Sequence, residues 1–127
     1  KWDEVEKETG TLEQYKKELQ ADSTLSFVIQ KQERVIAFAL FHLLADESEL
    51  LAIAVAEEFQ QTGLGKILFN AGKNELQNRG AEKLFLEVRE SNEKAKKFYQ
   101  NLGAVFIGTR TKYYKNGESA ILYRIDF

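Results

Sequence analysis

The chain has 127 residues and a net charge of −2, from 18 Lys and Arg against 20 Asp and Glu, and it contains no Cys, Pro or Met. The length suits one domain, residues 1–127, with a core of its own. The composition excludes the basic excess of a nucleic-acid binder, the run of roughly 20 apolar residues of a membrane span, and any disulfide, thiolate metal site or cysteine nucleophile.

Taken in order, Lys1–Gly10 is charged and aperiodic. Thr11-Leu12-Glu13-Gln14 matches a capping box, and Leu12, Tyr15 and Leu19 follow at helical spacing, which predicts a helix over 11–20. Leu25–Gln30 reads as a strand, Lys31-Gln32-Glu33 as a hairpin connection and Arg34–Leu44 as a long apolar strand. Asp46-Glu47-Ser48 then turns the chain into a third strand, Glu49–Val55. Three strands joined by short loops form an antiparallel meander.

Beyond Val55 the period changes. Leu64, Ile67, Leu68, Ala71 and Leu76 form one apolar stripe of a helix that ends at Arg79-Gly80. Lys83–Arg89 alternates as a strand, with Leu84, Leu86 and Val88 on one face and Phe85, Glu87 and Arg89 on the other. Ser91-Asn92 caps a second helix, lined by Ala95, Phe98 and Leu102 and stopped by Gly103. Ala104–Arg110 and Ala120–Phe127 are final strands joined by a segment holding Tyr113-Tyr114 and the turn pair Asn116-Gly117. The strand–helix–strand unit from Leu50 to Val88 is expected to be parallel and right-handed. The prediction is therefore an α+β domain with a mixed sheet.

Candidate chemistry gathers at one edge of that sheet. Gln60-Gln61-Thr62-Gly63-Leu64-Gly65-Lys66 joins an apolar strand to an amphipathic helix, and the first amides of a helix lack intrahelical partners. Gly63 and Gly65 carry no Cβ to keep a phosphate from those amides, and Lys66 adds a positive charge. The spacing is neither G-x-G-x-x-G nor G-x-x-x-x-G-K-[ST], and two glycines also suffice for a plain tight connection. Glu87 lies near the end of the parallel partner strand, Asn92 caps the next helix, and Tyr99 follows two turns along it. A carboxylate and a phenol beside one cleft can serve as general base and general acid. The structural alternatives are an ion pair of Glu87 with Arg89 or Lys96, packing for Tyr99, and simple capping for Asn92. His42 reads as a satisfied strand histidine, and no His, Asp and Glu cluster has metal-ligand spacing.

Together these motifs resemble the GNAT superfamily of N-acetyltransferases. Gln60-Gln61-Thr62-Gly63-Leu64-Gly65 is similar to its Q/R-x-x-G-x-G/A acyl-CoA motif. Leu86-Glu87-Val88-Arg89-Glu90-Ser91-Asn92, then Phe98-Tyr99 and Leu102-Gly103, resembles the RimI-type branch, the ribosomal-protein alanine N-acetyltransferases. The resemblance runs from about Glu49 to Ala104 and more loosely to Phe127.

It implies a GNAT fold, splayed between the strands ending at Val55 and Val88, and direct transfer of acetyl from acetyl-CoA to a primary amine such as a protein N-terminus. It also implies that Gln61, Thr62, Gly63, Leu64, Gly65 and Lys66 cradle the CoA pyrophosphate, and that Ile53, Ala54 and Val55 pair with pantetheine. Asn92 would hold the pantetheine arm, Glu87 take the ammonium proton and Tyr99 protonate the leaving thiolate. No metal, nucleic acid or membrane enters this reading, and a cytoplasmic location fits it. The sequence departs from the family in having no counterpart of its opening strand and helix before Thr11. It also has Ala56-Glu57-Glu58 and Lys115 where prolines are common, Ala104 for an aromatic and Ser119 for an acid. Two alternatives are an acetyltransferase for small amines and a CoA-binding scaffold without turnover, natural, trimmed or engineered. The pair Glu87 and Tyr99 favours an enzyme.

Overall fold

A computed structural model describes residues 23–127. The helix expected over 11–20, and the place of the family's opening strand and helix, lie outside the described residues. Among the described residues, six strands form one sheet in the order β1-β2-β3-β4-β6-β5. Strands β1 (Thr24–Lys31), β2 (Arg34–Leu44) and β3 (Glu47–Val55) make the predicted antiparallel meander. Helix α1 (Leu64–Asn78) leads to β4 (Lys83–Arg89), which runs parallel to β3. Helix α2 (Glu93–Asn101) is followed by the antiparallel pair β5 (Val105–Arg110) and β6 (Ala120–Asp126), with β6 inserted between β4 and β5.

β1, β5 and β6 differ from the expectation by a single residue at one end or both, and two larger differences stand out. The turn into β3 is Ala45-Asp46, with Ala45 at φ 56°, so Glu47 and Ser48 already belong to the strand. Ser48 looks like a turn residue in sequence, yet it is 1% exposed and donates to the Lys83 carbonyl at 2.8 Å. The inner stripe of α1 is also rotated from the predicted one. It runs through Leu68, Phe69, Gly72 and Leu76, and Ile67 is 57% exposed. Gly72 faces the buried Phe41 ring, and a Cβ built there would stand 2.1 Å from a ring carbon. The helix docks on the sheet at this contact.

Alternation divides each strand between two faces. Ala37, Ala39 and Phe41 join Leu84, Leu86, Val88, Tyr123 and the inner residues of α1 in the main core. Leu40 and Ala52 form a smaller cluster with Phe38 and Leu51. The β2–β3 register skips one residue after Leu40, so that Leu51 is inserted opposite no partner. Two successive residues of β3, Leu51 and Ala52, therefore pack in the same cluster, as a bulge requires.

Candidate active site between the parted strands

β3 and β4 pair at three positions, Glu47 with Lys83, Ser48 with Leu84 and Glu49 with Phe85. Beyond them the strands part, which leaves a slot between Leu50–Val55 and Leu86–Arg89. The Ser48 hydroxyl fastens its closed end.

The direction of each backbone group at the slot follows from the ladders. In an antiparallel pair alternate residues bond to the neighbouring strand and those between face away. The Ala56 amide bonds to the Ile36 carbonyl at 2.7 Å. Ala54 and Ala52, in the same phase, therefore bond to β2, and Ile53 and Val55 turn their amides and carbonyls to the slot. On the other side the Glu90 amide bonds to Ser119, so Glu87 and Arg89 face the slot in the same way. Of the three residues expected to meet pantetheine, the structure turns the backbones of Ile53 and Val55 toward the opening and that of Ala54 into the ladder. The Val55 carbonyl accepts from the Gln60 side-chain amide at 3.0 Å, and Lys94 of α2 donates to the Gln60 carbonyl at 3.3 Å. Gln60 thus spans the open end of the slot.

The turn at that end has the form of an anion cradle. Gln61 and Gly63 both have positive φ, at 61° and 90°. The Thr62 hydroxyl donates to the Phe59 carbonyl. Gly63 is the N-cap of α1 and supplies no side-chain cap, and the first intrahelical bond runs from Ile67 to Gly63. The amides of Leu64, Gly65 and Lys66 therefore precede the helical ladder, and Lys66 is exposed beside them. The two glycines serve different ends. A Cβ on Gly63 would meet nothing within 4 Å, which leaves open space before the amides, whereas one on Gly65 would meet the Phe98 ring at 3.3 Å. Gly65 lets α1 and α2 approach each other. At the start of α2, Asn92 accepts from the Ala95 amide at 3.0 Å as its N-cap.

Glu87 and Tyr99 come to the slot from opposite faces of the sheet. Tyr99 is 8% exposed within the main core, with its ring edge-on to Phe98 at 5.1 Å. Glu87, on the opposite face of β4, opens into a cleft of about 580 Å³. His42, Glu49, Phe85, Arg110, Tyr113 and Tyr114 line the same cleft. The ion partner of Glu87 is Arg110 at 3.4 Å, rather than Arg89 or Lys96, which pair with Glu118 and Glu93. His42 shares a hydrogen bond with the Ser23 hydroxyl at 3.3 Å.

The wall carrying Tyr113 and Tyr114 is held by one carboxylate. Glu118 accepts from the Ser91 amide at 2.9 Å and from Arg89 and Asn116, and its own carbonyl accepts from the Tyr114 amide. Hydrogen bonds from Ser91, then Asn116, with Arg89 adding to them, lower its carboxyl to a pKa of about 2. The Arg89 guanidinium lies 4.0 Å over the Tyr114 ring. Arg110 and Glu118 escaped the sequence reading because nothing in the order of residues says that β6 lies between β4 and β5. The pair Tyr113-Tyr114 was visible as a motif, and the structure gives it a place.

Residues 1–104 match the profile of the acetyltransferase (GNAT) family. The chain is 42% identical, over 71% of its length, to the [ribosomal protein bS18]-alanine N-acetyltransferase of Haemophilus ducreyi. It is 37% identical, over 75% of its length, to the protein of that name in Escherichia coli K12. It spans 62% and 64% of the lengths of these relatives. The crystal structure of the ribosomal-protein-S18-alanine N-acetyltransferase from Escherichia coli aligns with a TM-score of 0.83 at 31% identity, covering 96% of this chain and 82% of that one. With the family profile matched over residues 1–104 and a relative 42% identical over 71% of the chain, the chain belongs to the GNAT family of acetyltransferases.

Proposed function

We propose that this one domain transfers acetyl from acetyl-CoA to the α-amino group of a protein N-terminus by direct attack in a ternary complex. The observation that carries this reading is the slot itself. It has the strand-edge groups of Ile53 and Val55 on one side, uncapped helix amides at its mouth and a carboxylate in the cleft beyond it.

The amides from Gln61 to Lys66 receive the pyrophosphate, and Asn92 and the slot-facing backbones of Ile53 and Val55 position the pantetheine and thioester. Glu87 takes a proton from the acceptor ammonium, directly or through water, and the freed nitrogen attacks the thioester carbon. The carbonyl oxygen gains charge and draws on backbone amides of β3. As the C–S bond breaks, Tyr99 gives its proton to the thiolate sulfur. The opposite placement of Glu87 and Tyr99 suits this sequence, because the amine arrives on one side of the carbonyl carbon and the thiolate leaves on the other. No acyl-enzyme is required.

The names of the relatives favour an acceptor that begins with alanine, as in a ribosomal protein of the bS18 type. A cytoplasmic location is part of the proposal, since acetyl-CoA and ribosomes share that compartment. The structure's own statement is narrower: no described helix is long and apolar enough to cross a membrane.

The test incubates the protein with acetyl-CoA and a peptide beginning with alanine, and follows the mass of the peptide. One acetyl group on the α-nitrogen is expected, with none added to the same peptide already capped. Transfer to small amines with the peptide left untouched would move the assignment to the small-amine alternative. Binding of acetyl-CoA without any transfer would leave the scaffold reading.

A further inference from the structure

Glu87 already has a cation on it. The Arg110 guanidinium reaches from the end of β5, across β6, to lie 3.4 Å from the Glu87 carboxylate, and it is the ion partner of that carboxylate among the described residues. The pair is half open to solvent, with 55% of the Arg110 side chain and 33% of the Glu87 side chain exposed. The same guanidinium stands 5.4 Å from the centre of the Tyr113 ring. All three side chains line the cleft through which an acceptor reaches the slot. An ammonium group that is to give its proton to Glu87, directly or through one water, must approach a carboxylate that Arg110 now pairs with.

We propose that Arg110 is a displaceable counter-ion for Glu87. It holds the place of the acceptor ammonium and withdraws further onto the Tyr113 ring, which it already faces, when a primary amine arrives. It is a positioning residue, acting through Glu87 and setting how strongly the cleft takes a charged amine. The physical case rests on three points. Two cations cannot share one carboxylate without repulsion, so each acceptor binds in competition with Arg110. An exposed ion pair is weak, commonly worth less than about 1 kcal/mol, so displacing it is not prohibitive. A guanidinium leaving its carboxylate finds a second resting place on an aromatic face, and here that face is already adjacent. A permanent structural brace has a different form, as the Arg89–Glu118 pair shows: both its side chains are about one-fifth exposed or less, and its carboxylate is also tied to a backbone amide.

This inference rests on the acetyl-transfer reading for the identity of the ligand, a peptide with a free α-ammonium. Its test is binding, so the two can fail separately. Calorimetry compares the parent protein with Arg110→Gln and Arg110→Met, using an alanine-initiated peptide with a free N-terminus and the same peptide capped by acetyl. The free peptide is expected to bind both variants about two- to fivefold more tightly than the parent, and the capped peptide to bind all three alike. Arg110→Lys, which keeps the charge, should behave as the parent does. An unchanged ratio of free to capped affinity in a folded charge-free variant overturns the proposal, and so does weaker binding of the free peptide. If only one of the two variants folds, that one decides. Tighter binding of the free peptide by a parent-like fold that acetylates nothing would keep the counter-ion and sink the reaction.

Discussion

Glu87 and Tyr99 differ in what surrounds them, and their substitutions are therefore expected to fail in different ways. Glu87→Gln keeps the shape and loses proton acceptance. Its ion pair with Arg110 is half exposed, so losing it costs little stability. Turnover is expected to fall by about 10²-fold or more, with Tm nearly constant and acetyl-CoA affinity retained. Measuring rate and Tm on the same sample checks both halves. A variant that loses stability while turning over normally per folded molecule would make Glu87 structural. Tyr99→Phe removes a hydroxyl from a residue 8% exposed and changes almost no volume. The expected loss is again on the order of 10²-fold, confined to the chemical step, and it should shrink with an acyl donor whose thiol is more acidic. Equal single-turnover rates for parent and variant would leave Tyr99 as packing.

Among the elements, α1 offers the sharpest test of the fold. Gly72→Ala should raise helix propensity by about 1 kcal/mol. Against that, its Cβ meets the fully buried Phe41 ring at 2.1 Å, and overpacking of a closed core costs about 1–3 kcal/mol. At 2.1 Å the overlap puts the cost near the upper end of that range, so the core wins and Tm is expected to drop by a few degrees. Gly65→Ala meets the Phe98 ring at 3.3 Å and should cost less. The same glycine shows where the sequence was legible and where it was not. β2 and β4 were read to the residue, because the long apolar run of the one and the alternation of the other both end at turn residues. The stripe of α1 was misplaced onto Ile67, since a glycine that accepts a ring does not register as apolar. β3 lost its first two residues to Glu47 and Ser48, whose polarity suits a turn until Ser48 finds the Lys83 carbonyl. The acyl-CoA motif was legible because its chemistry is local. The cleft was not, because Arg110 and Glu87 stand 23 positions apart and meet across a strand that arrives later in the chain. The segment from 111 to 119 makes a pH prediction of its own. Glu118 has a folded pKa of about 2 against an ordinary value of 4.5. The folded state thus binds fewer protons than the unfolded one between these values. The contribution of Glu118 is complete above about pH 4.5 and is lost as pH falls toward 2. The Tm difference between the parent and Glu118→Gln should be widest at neutral pH and close on acidification, which thermal melts across that range would show.

For the whole molecule, the three-pair seam between β3 and β4 makes the sheet two half-sheets, β1-β2-β3 and β4-β6-β5, joined at one end. Acetyl-CoA laid in the slot would complete the hydrogen bonding of both halves. Amide hydrogen exchange should then slow at Ile53 and Val55 on adding acetyl-CoA, and stay unchanged at Ala54, which is bonded to β2 in either state. Protection at all three alike, or at none, would remove residues 53 and 55 from the binding site. A sheet ordinarily has two edges, and edges are where chains recruit one another into aggregates. Among the described residues this one has four, two of them turned inward and facing each other across a gap, with Gln60 laid over the mouth. The proposed ligand site is thus also a place where the fold keeps raw strand edges away from other chains. An occupied slot should slow the clumping of heated protein as well as serve chemistry, so starving the protein of cofactor would cost it colloidal safety.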